Sequence, residues 1–174
     1  MRIYLSSEGM ERLRAAISRT REELAALRAE KAIAYTQSGD TWHDNPGFND
    51  LEQQEHRKAL QIRALEEQLR GAVLFVLERR PTERVALGAI VRFIARPLTG
   101  VPGSRDGEEE QVFEIGGHEE TDLKLRRIGY SSPLGRGLMG LAPGESQVTG
   151  AAGVEIEYEV VELLESWDEV DDGH

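Results

Sequence analysis

The sequence predicts an α+β protein: a long N-terminal antiparallel α-helical coiled-coil hairpin followed by a small β domain. Three observations carry that expectation. Apolar residues recur at three- and four-residue spacing in two long stretches of the first 80 residues. A short run of breaker residues separates the two stretches. Beyond Pro81 the period changes from helical spacing to strand-like alternation.

The first helix has a capping residue in Ser6 or Ser7, whose hydroxyl can accept a bond from an otherwise unpaired amide of the first turn. Its seam is Met10, Leu13, Ile17, Thr20, Leu24 and Leu27, with Ala, Arg, Glu and Leu filling the faces between. It is expected to run to about Thr36, where Gln37-Ser38-Gly39-Asp40 brings breakers. A second seam follows Pro46-Gly47 and reads Phe48, Leu51, Glu55, Lys58, Ile62, Leu65, Leu69 and Ala72, with its two polar members toward the turn. Two helices of roughly 30 residues joined by so short a loop fold back on each other into a hairpin about 45 Å long. Arg80-Pro81 is expected to end the second helix, because proline disfavours helix in the residue before it.

Strands are expected at 89–94, 111–115 and 154–161, an exposed loop from Pro97 to Glu110, and a short helix after Pro133 through Leu138 and Met139. The boundaries are therefore 1–80 for the hairpin, 81–167 for the β domain, and 168–174 for an acidic tail that composition assigns to disorder.

Composition removes several classes of function. The chain has 174 residues, which suits one domain, or an extended element joined to a small globular one. It has no cysteine, so a disulfide framework, a thiolate zinc site and a cysteine nucleophile are excluded together. The amino terminus lacks an apolar stretch of signal-peptide length and no later segment approaches a membrane span, so a soluble, cytoplasmic protein without membrane contact is expected. A formal charge of −11 argues against independent binding of duplex DNA, which needs clustered Lys and Arg.

The turn of the hairpin concentrates chemistry. Asp40, Trp42, His43, Asp44 and Asn45 put two carboxylates, an indole, an imidazole and an amide into six residues. Two such carboxylates can share a hard cation such as Mg²⁺, or one can cap the turn while the other is solvated. An indole there can stack on a base or fold over Phe48. Arg14, Arg21 and Arg28 recur every seven residues beside the first seam. They can pair with Glu52, Glu66 or Glu67 across the hairpin, or form a basic stripe toward RNA or an acidic wall. Gly135-Arg136-Gly137-Leu138-Met139-Gly140 satisfies a dinucleotide-binding pattern literally but lacks the parallel βαβ setting that pattern needs.

Several segments resemble the Gre family of transcript cleavage factors. Leu5-Ser6-Ser7-Glu8-Gly9-Met10-Glu11-Arg12-Leu13 is similar to that family's opening, Gly39-Asp40 with a following acid and Asn45 to its tip, and Leu87-Gly88-Ala89-Ile90-Val91 to its first β-domain strand. Most specific is Tyr130-Ser131-Ser132-Pro133-Leu134-Gly135-Arg136-Gly137-Leu138-Met139-Gly140, which resembles the family's Ser-Pro-x-x-Arg-x-Leu-x-Gly segment. The resemblance implies an FKBP-like β domain that docks on bacterial RNA polymerase through Ser131, Ser132 and Pro133. It implies a hairpin entering the secondary channel, and tip acids Asp40 and Asp44 sharing Mg²⁺ with the polymerase active centre beside the nascent RNA 3′ end. It further implies a monomer that stimulates the polymerase's own hydrolysis of backtracked RNA and is not a stand-alone enzyme. The aromatics of the β domain, Phe93, Phe113, Tyr130 and Tyr158, are thin material for a proline pocket, so a docking module is expected. One departure stands: the family's tip acids are three residues apart, whereas Asp40 and Asp44 are four apart with His43 at the intervening place. That spacing keeps open a non-cleaving homologue that occupies the channel and inhibits or modulates transcription.

Overall fold

The computed structural model describes residues 2–38, 46–98, 109–151 and 154–171. The chain divides into two compact units, Met1–Ile3 with Met10–Val73, and Tyr4–Gly9 with Leu74–His174. Among the described residues no helix is long and apolar enough to cross a membrane.

The first unit is the helical hairpin. Helix α1 spans Ser7–Ser38 and helix α2 spans Pro46–Gly71. Proline at the first position of α2 costs nothing, since its missing N–H would be unpaired there and its fixed φ already suits a helix. The buried side chains are Ile17, Thr20 and Leu24 on α1 and Phe48 and Ile62 on α2, all members of the two seams. Thr20 is tolerated in that stripe because its hydroxyl donates to the Ala16 carbonyl at 2.8 Å, satisfying its polar atom within the helix. Cross-hairpin ion pairs run in opposite directions along the two helices: Arg21 with Glu66, Lys58 with Glu23, Arg28 with Glu55, and Lys31 with Glu52. The order is that of an antiparallel pair.

The second helix ends at Gly71, not at Arg80-Pro81. Ala72–Leu74 forms strand β2, which pairs with strand β1, Ile3–Leu5, in a two-stranded sheet. The physical reason is local: glycine weakens the helix end, and Ala72-Val73-Leu74-Phe75-Val76 favours extended backbone once a partner strand is present. The Phe75 N–H continues the contact by donating to the Leu5 carbonyl at 2.7 Å.

The second unit is built on a five-stranded sheet in the order β5-β4-β3-β7-β6. The strands are β3 Ile90–Pro97, β4 Glu109–Gly116, β5 Arg127–Gly129, β6 Ser146–Ala151 and β7 Val154–Leu164. The central β3 is antiparallel to both neighbours, β6 and β7 are antiparallel, and β4 and β5 run parallel. Alternation along β3 sends Val91 and Phe93 into a core with Ile115, Ile128, Leu138, Tyr158 and Val160. The aromatics fill that core: Phe93 lies 6.2 Å from the ring centroids of both Phe113 and Tyr158. The other face explains why β7 can be so acidic. Arg92 pairs with Glu162 at 2.9 Å and Glu110 at 3.7 Å, and Arg96 pairs with Glu157 and Glu159.

Helix α3, Pro133–Leu138, packs against this sheet. The Gly135 and Gly137 positions are buried in that contact: a Cβ on Gly135 would lie 2.2 Å from the Gly129 carbonyl oxygen, and one on Gly137 2.8 Å from the Tyr158 ring. The glycine-rich run therefore serves close packing of a short helix. Asp168–Asp171, assigned by composition to a disordered tail, forms a helical turn, α4, with the Asp168 N–H donating to Ser166 Oγ at 3.2 Å.

Phe93→Ala should lower the unfolding free energy by about 3–5 kcal/mol through loss of buried area and the cavity left behind, read from urea titration of the full chain. A loss under ~1 kcal/mol would mean that the Phe93 cluster does not carry the β domain.

Candidate functional site

Two regions hold the residues singled out from sequence. Asp40, Trp42, His43, Asp44 and Asn45 lie outside the described residues; α1 ends at Ser38 and α2 begins at Pro46 on either side of them. What the structure does describe is the stem beneath. Glu55 accepts from Arg28 Nε at 2.8 Å and from Lys31 Nζ at 3.0 Å, and Lys31 also reaches Glu52 at 3.5 Å. The Lys31 ammonium lies 5.3 Å from the centroid of buried Phe48, within cation–π range, and Tyr35 lies 6.4 Å from the same ring. This cluster sets the charges of its own members. The Arg28 hydrogen bond, then that of Lys31, holds the Glu55 carboxyl below its ordinary value, and the Glu55 hydrogen bond raises Lys31.

Of the three heptad-spaced arginines, Arg21 donates to Glu66 at 2.6 Å and Arg28 to Glu55. Arg14 is exposed and has no ion pair among the described residues. The pairing partner Glu55 was not foreseen, because as a seam position it read only as one of the two polar members toward the turn.

The second region is the turn Ser131-Ser132-Pro133, which the fold holds from four sides. Ser132 is the N-cap of α3, its Oγ accepting the Gly135 N–H at 2.9 Å, and Pro133 follows at the first helical position. The Ser132 N–H donates to the Gly129 carbonyl, and the Ser131 carbonyl accepts from Arg136 at 2.7 Å. Ser131 Oγ accepts the Glu119 N–H at 3.1 Å. Pro133 itself is exposed, so a rigid corner presents it to solvent.

Sequence reasoning missed Glu120. It is 3% exposed and accepts N–H bonds from Ser6 at 2.8 Å and Gly117 at 3.2 Å. Ser6 in turn caps α1, its Oγ accepting the Gly9 N–H at 3.0 Å. A signal was present in Gly9, a poor helix former placed in the first turn of an otherwise strongly helical stretch.

Residues 80–165 match the family described as "Transcription elongation factor, GreA/GreB, C-term". Transcription elongation factors GreA of Brucella canis and Brucella suis are 26% identical over 159 residues, covering 91% of this chain and 95% of theirs. Residues 80–165 belong to the Gre family. Since the match with the Brucella relatives extends over nine-tenths of the chain, it takes in the hairpin as well as the β domain. Among solved structures, the transcription factor Gfh1 aligns at TM-score 0.42 with 23% identity, covering 94% of this chain and 97% of that one. Gfh1 of Thermus thermophilus aligns at TM-score 0.41, again with 23% identity, covering 94% and 99%. The family match and the Brucella relatives indicate a GreA-like transcription elongation factor.

Two outcomes follow from this geometry. Because the folded value of Glu55 is depressed, its contribution to hairpin stability is full above the ordinary glutamate range and is lost as pH falls through that range and then through the lower folded value. The raised value of Lys31 gives the mirror case, with stability lost as pH rises through its folded value at the alkaline end. A Glu55→Gln variant should lose roughly 1 kcal/mol at neutral pH and should flatten the acid limb of thermal unfolding measured by circular dichroism. An unchanged acid limb would remove Glu55 as its source. Separately, Ser132→Ala should cost about 1 kcal/mol through loss of the α3 cap, seen as faster amide exchange at Gly135.

Proposed function

We propose that this Gre-family chain binds bacterial RNA polymerase through its β domain and inserts the hairpin into the secondary channel, where the tip acids assist Mg²⁺-dependent cleavage of backtracked RNA. The observation that carries the reading is the match to GreA relatives along both parts of the chain, together with an exposed Pro133 on a corner held by the Ser132 cap. The length of the hairpin suits delivery: 32 residues of α1 reach about 48 Å at 1.5 Å per residue.

The chemistry of the donor set fits the ion. Mg²⁺ prefers oxygen ligands and keeps several waters, and Asp40 and Asp44 offer carboxylates in the turn of the hairpin. These two residues would hold it together with groups of the polymerase, and the ion when bound supplies Lewis acidity at the scissile phosphodiester. The chain's own part is placement. The docked corner fixes where the β domain sits, the stem carries the two acids to the RNA 3′ end, and Trp42 has the flat apolar surface on which a nucleobase stacks. Polymerase supplies the catalytic centre, so the chain acts on the polymerase's own hydrolysis.

One feature favours a second reading, in which the chain occupies the channel without promoting cleavage. Asp40 and Asp44 are four residues apart where the family has three, and a carboxylate misplaced by about 1 Å can cost on the order of a hundredfold in rate.

Stalled, backtracked elongation complexes separate the two. Release of short 3′ RNA fragments that depends on Mg²⁺ and falls at least about tenfold in Asp40→Ala and Asp44→Ala supports cleavage. Slowed elongation without fragments supports the second reading. No binding to core polymerase at micromolar concentration would remove both. Pro133→Ala should weaken binding and leave fragment yield at saturation unchanged.

A further inference from the structure

Between β4 and β5 the chain makes a short 3₁₀ turn, Leu123–Leu125, and this turn with Arg126 puts two leucines and two cations into water. Leu123 is 69% exposed, more than any other large apolar side chain among the described residues, and Leu125 is 57% exposed. Lys124 and Arg126 are exposed as well, and neither has an ion pair among the described residues. Lys124, Leu125 and Arg126 form one wall of an open cleft of about 370 Å³, and Trp167 and Val170 form the other. The acids of α4 leave those cations free, since Glu169 accepts the Glu165 N–H at 3.1 Å and no ion pair joins the two walls among the described residues. A single exposed leucine is ordinary, whereas two leucines and an indole grouped around unpaired cations mark a contact surface.

The turn keeps its shape without those side chains. Asp122 accepts the N–H groups of Lys124 at 2.9 Å and Leu125 at 3.3 Å, and exchanges two backbone bonds of 2.9 Å with Arg127. Arg126 sits at φ 48°, a left-handed conformation that a Cβ disfavours, and its carbonyl is held to β4 by the Glu114 N–H at 2.8 Å. The rungs continue to the Ser131–Pro133 corner: the Gly129 N–H donates to Thr121 Oγ1 at 3.0 Å, and the Glu119 N–H to Ser131 Oγ at 3.1 Å. Turn and corner are thus two ends of one hydrogen-bonded ladder within the β domain. The chain from Leu125 to Ser131 spans at most about 21 Å. The ~800 Å² that each partner gives to a stable protein interface is roughly 30 Å across, so one interface has room for both.

The chemistry selects the occupant. A small ligand binds where a pocket buries most of its surface, but Leu125 stays more than half exposed on its wall and Leu123 lies outside the cleft. A nucleic acid brings continuous negative charge past exposed Asp168 and Glu169, and its phosphates leave Leu123 uncovered. A protein surface sets a carboxylate against Lys124 and Arg126 and an apolar side chain against Leu125 and Trp167 in one contact. We infer that the Leu123–Arg126 turn, with Trp167, is a second docking point for the polymerase surface that the Ser131–Pro133 corner meets, and that this surface presents a carboxylate beside an apolar side chain. The inference rests on the proposed polymerase-binding function. The cations steer the approach, and the leucines and indole hold the complex once water is excluded.

The test measures binding of the full chain to core polymerase, by association and dissociation rates over a range of salt, in wild type and two double variants. Lys124→Gln with Arg126→Gly removes both charges, and glycine takes the left-handed position without strain. It should slow association about tenfold at low salt and converge on wild type as salt rises, with dissociation within about twofold. Leu123→Ser with Leu125→Ser should speed dissociation about tenfold at every salt. All four side chains are exposed, so both variants should melt within about 2 °C of wild type. Should a double variant unfold, Leu125→Ser and Arg126→Gly alone carry the comparison. Wild type that binds, with both variants matching its rates within about twofold, overturns the second docking point and leaves the parent reading standing. Wild type that does not bind at micromolar concentration sinks both. Two other results reassign the turn and overturn the inference: an RNA or duplex DNA oligonucleotide bound by the free chain and released in the charge variant, or a dimer in sedimentation equilibrium that the leucine variant dissolves.

Discussion

A hairpin of two helices can bury side chains along only one stripe of each helix, and most of what distinguishes this chain follows from that limit. The stripe is apolar at Ile17, Leu24 and Ile62, where Thr20 is the single polar guest and satisfies itself on the helix backbone. Nearer the turn it becomes ionic, with Glu55 and Lys58 in seam positions held by Arg28, Lys31 and Glu23. Hydrophobic burial is not screened by salt, whereas partly exposed ion pairs are weakened by it. The stem is therefore held by two kinds of force along its length, and the half that carries the tip depends on the one that solution conditions can tune. Phe48 partly offsets this, because it is buried and takes the Lys31 ammonium over its ring.

The β domain meets a different constraint, that of a small sheet which holds the Ser131–Pro133 corner rigid. Its central strand β3 separates two tasks by alternation: Val91 and Phe93 build the core, while Arg92 and Arg96 neutralise the glutamates of β7 on the opposite face. The corner is then fixed by backbone geometry more than by bulk. Gly135 lets α3 approach the Gly129 carbonyl, the Ser132 cap closes its first turn, and Pro133 is left outside with little conformational freedom to lose on binding.

Much of the fold was legible in the sequence because periodicity reports burial directly. Both seams, the strands expected at 89–94, 111–115 and 154–161 and the helix after Pro133 are patterns of a length that local reading can resolve, whereas most of the loop expected from Pro97 to Glu110 lies outside the described residues and its last two residues, Glu109 and Glu110, begin β4. What escaped has a common cause. Strands β1, β2 and β5 have three residues each, too few to show alternation, and exist because a partner strand accepts them. The early end of α2 at Gly71 follows from the same pairing, since Ala72–Leu74 is apolar enough to continue a helix until β1 is there to take it. Strand β6 was hidden by Ser146, Thr149 and Gly150, which read as loop. Glu120 escaped for a further reason: in sequence it is one acid in the run Glu119-Glu120-Thr121-Asp122, and only the fold shows that its neighbours are exposed while it is enclosed.

The distribution of charge bears on what such a chain can grip. The chain carries 21 Lys and Arg against 32 Asp and Glu, and on the stem Arg21, Arg28, Lys31 and Lys58 pair with glutamates across the hairpin, whereas exposed Arg14 has no ion pair among the described residues. In the β domain Arg80, Arg92, Arg96 and Arg127 are committed in the same way. Phosphate binding relies on uncommitted lysines and arginines that release counterions, and internal pairing removes that capacity. The paired cations leave that capacity to unpaired ones such as Arg14, while the Ser131–Pro133 corner is uncharged and held rigid by its own cap and backbone bonds.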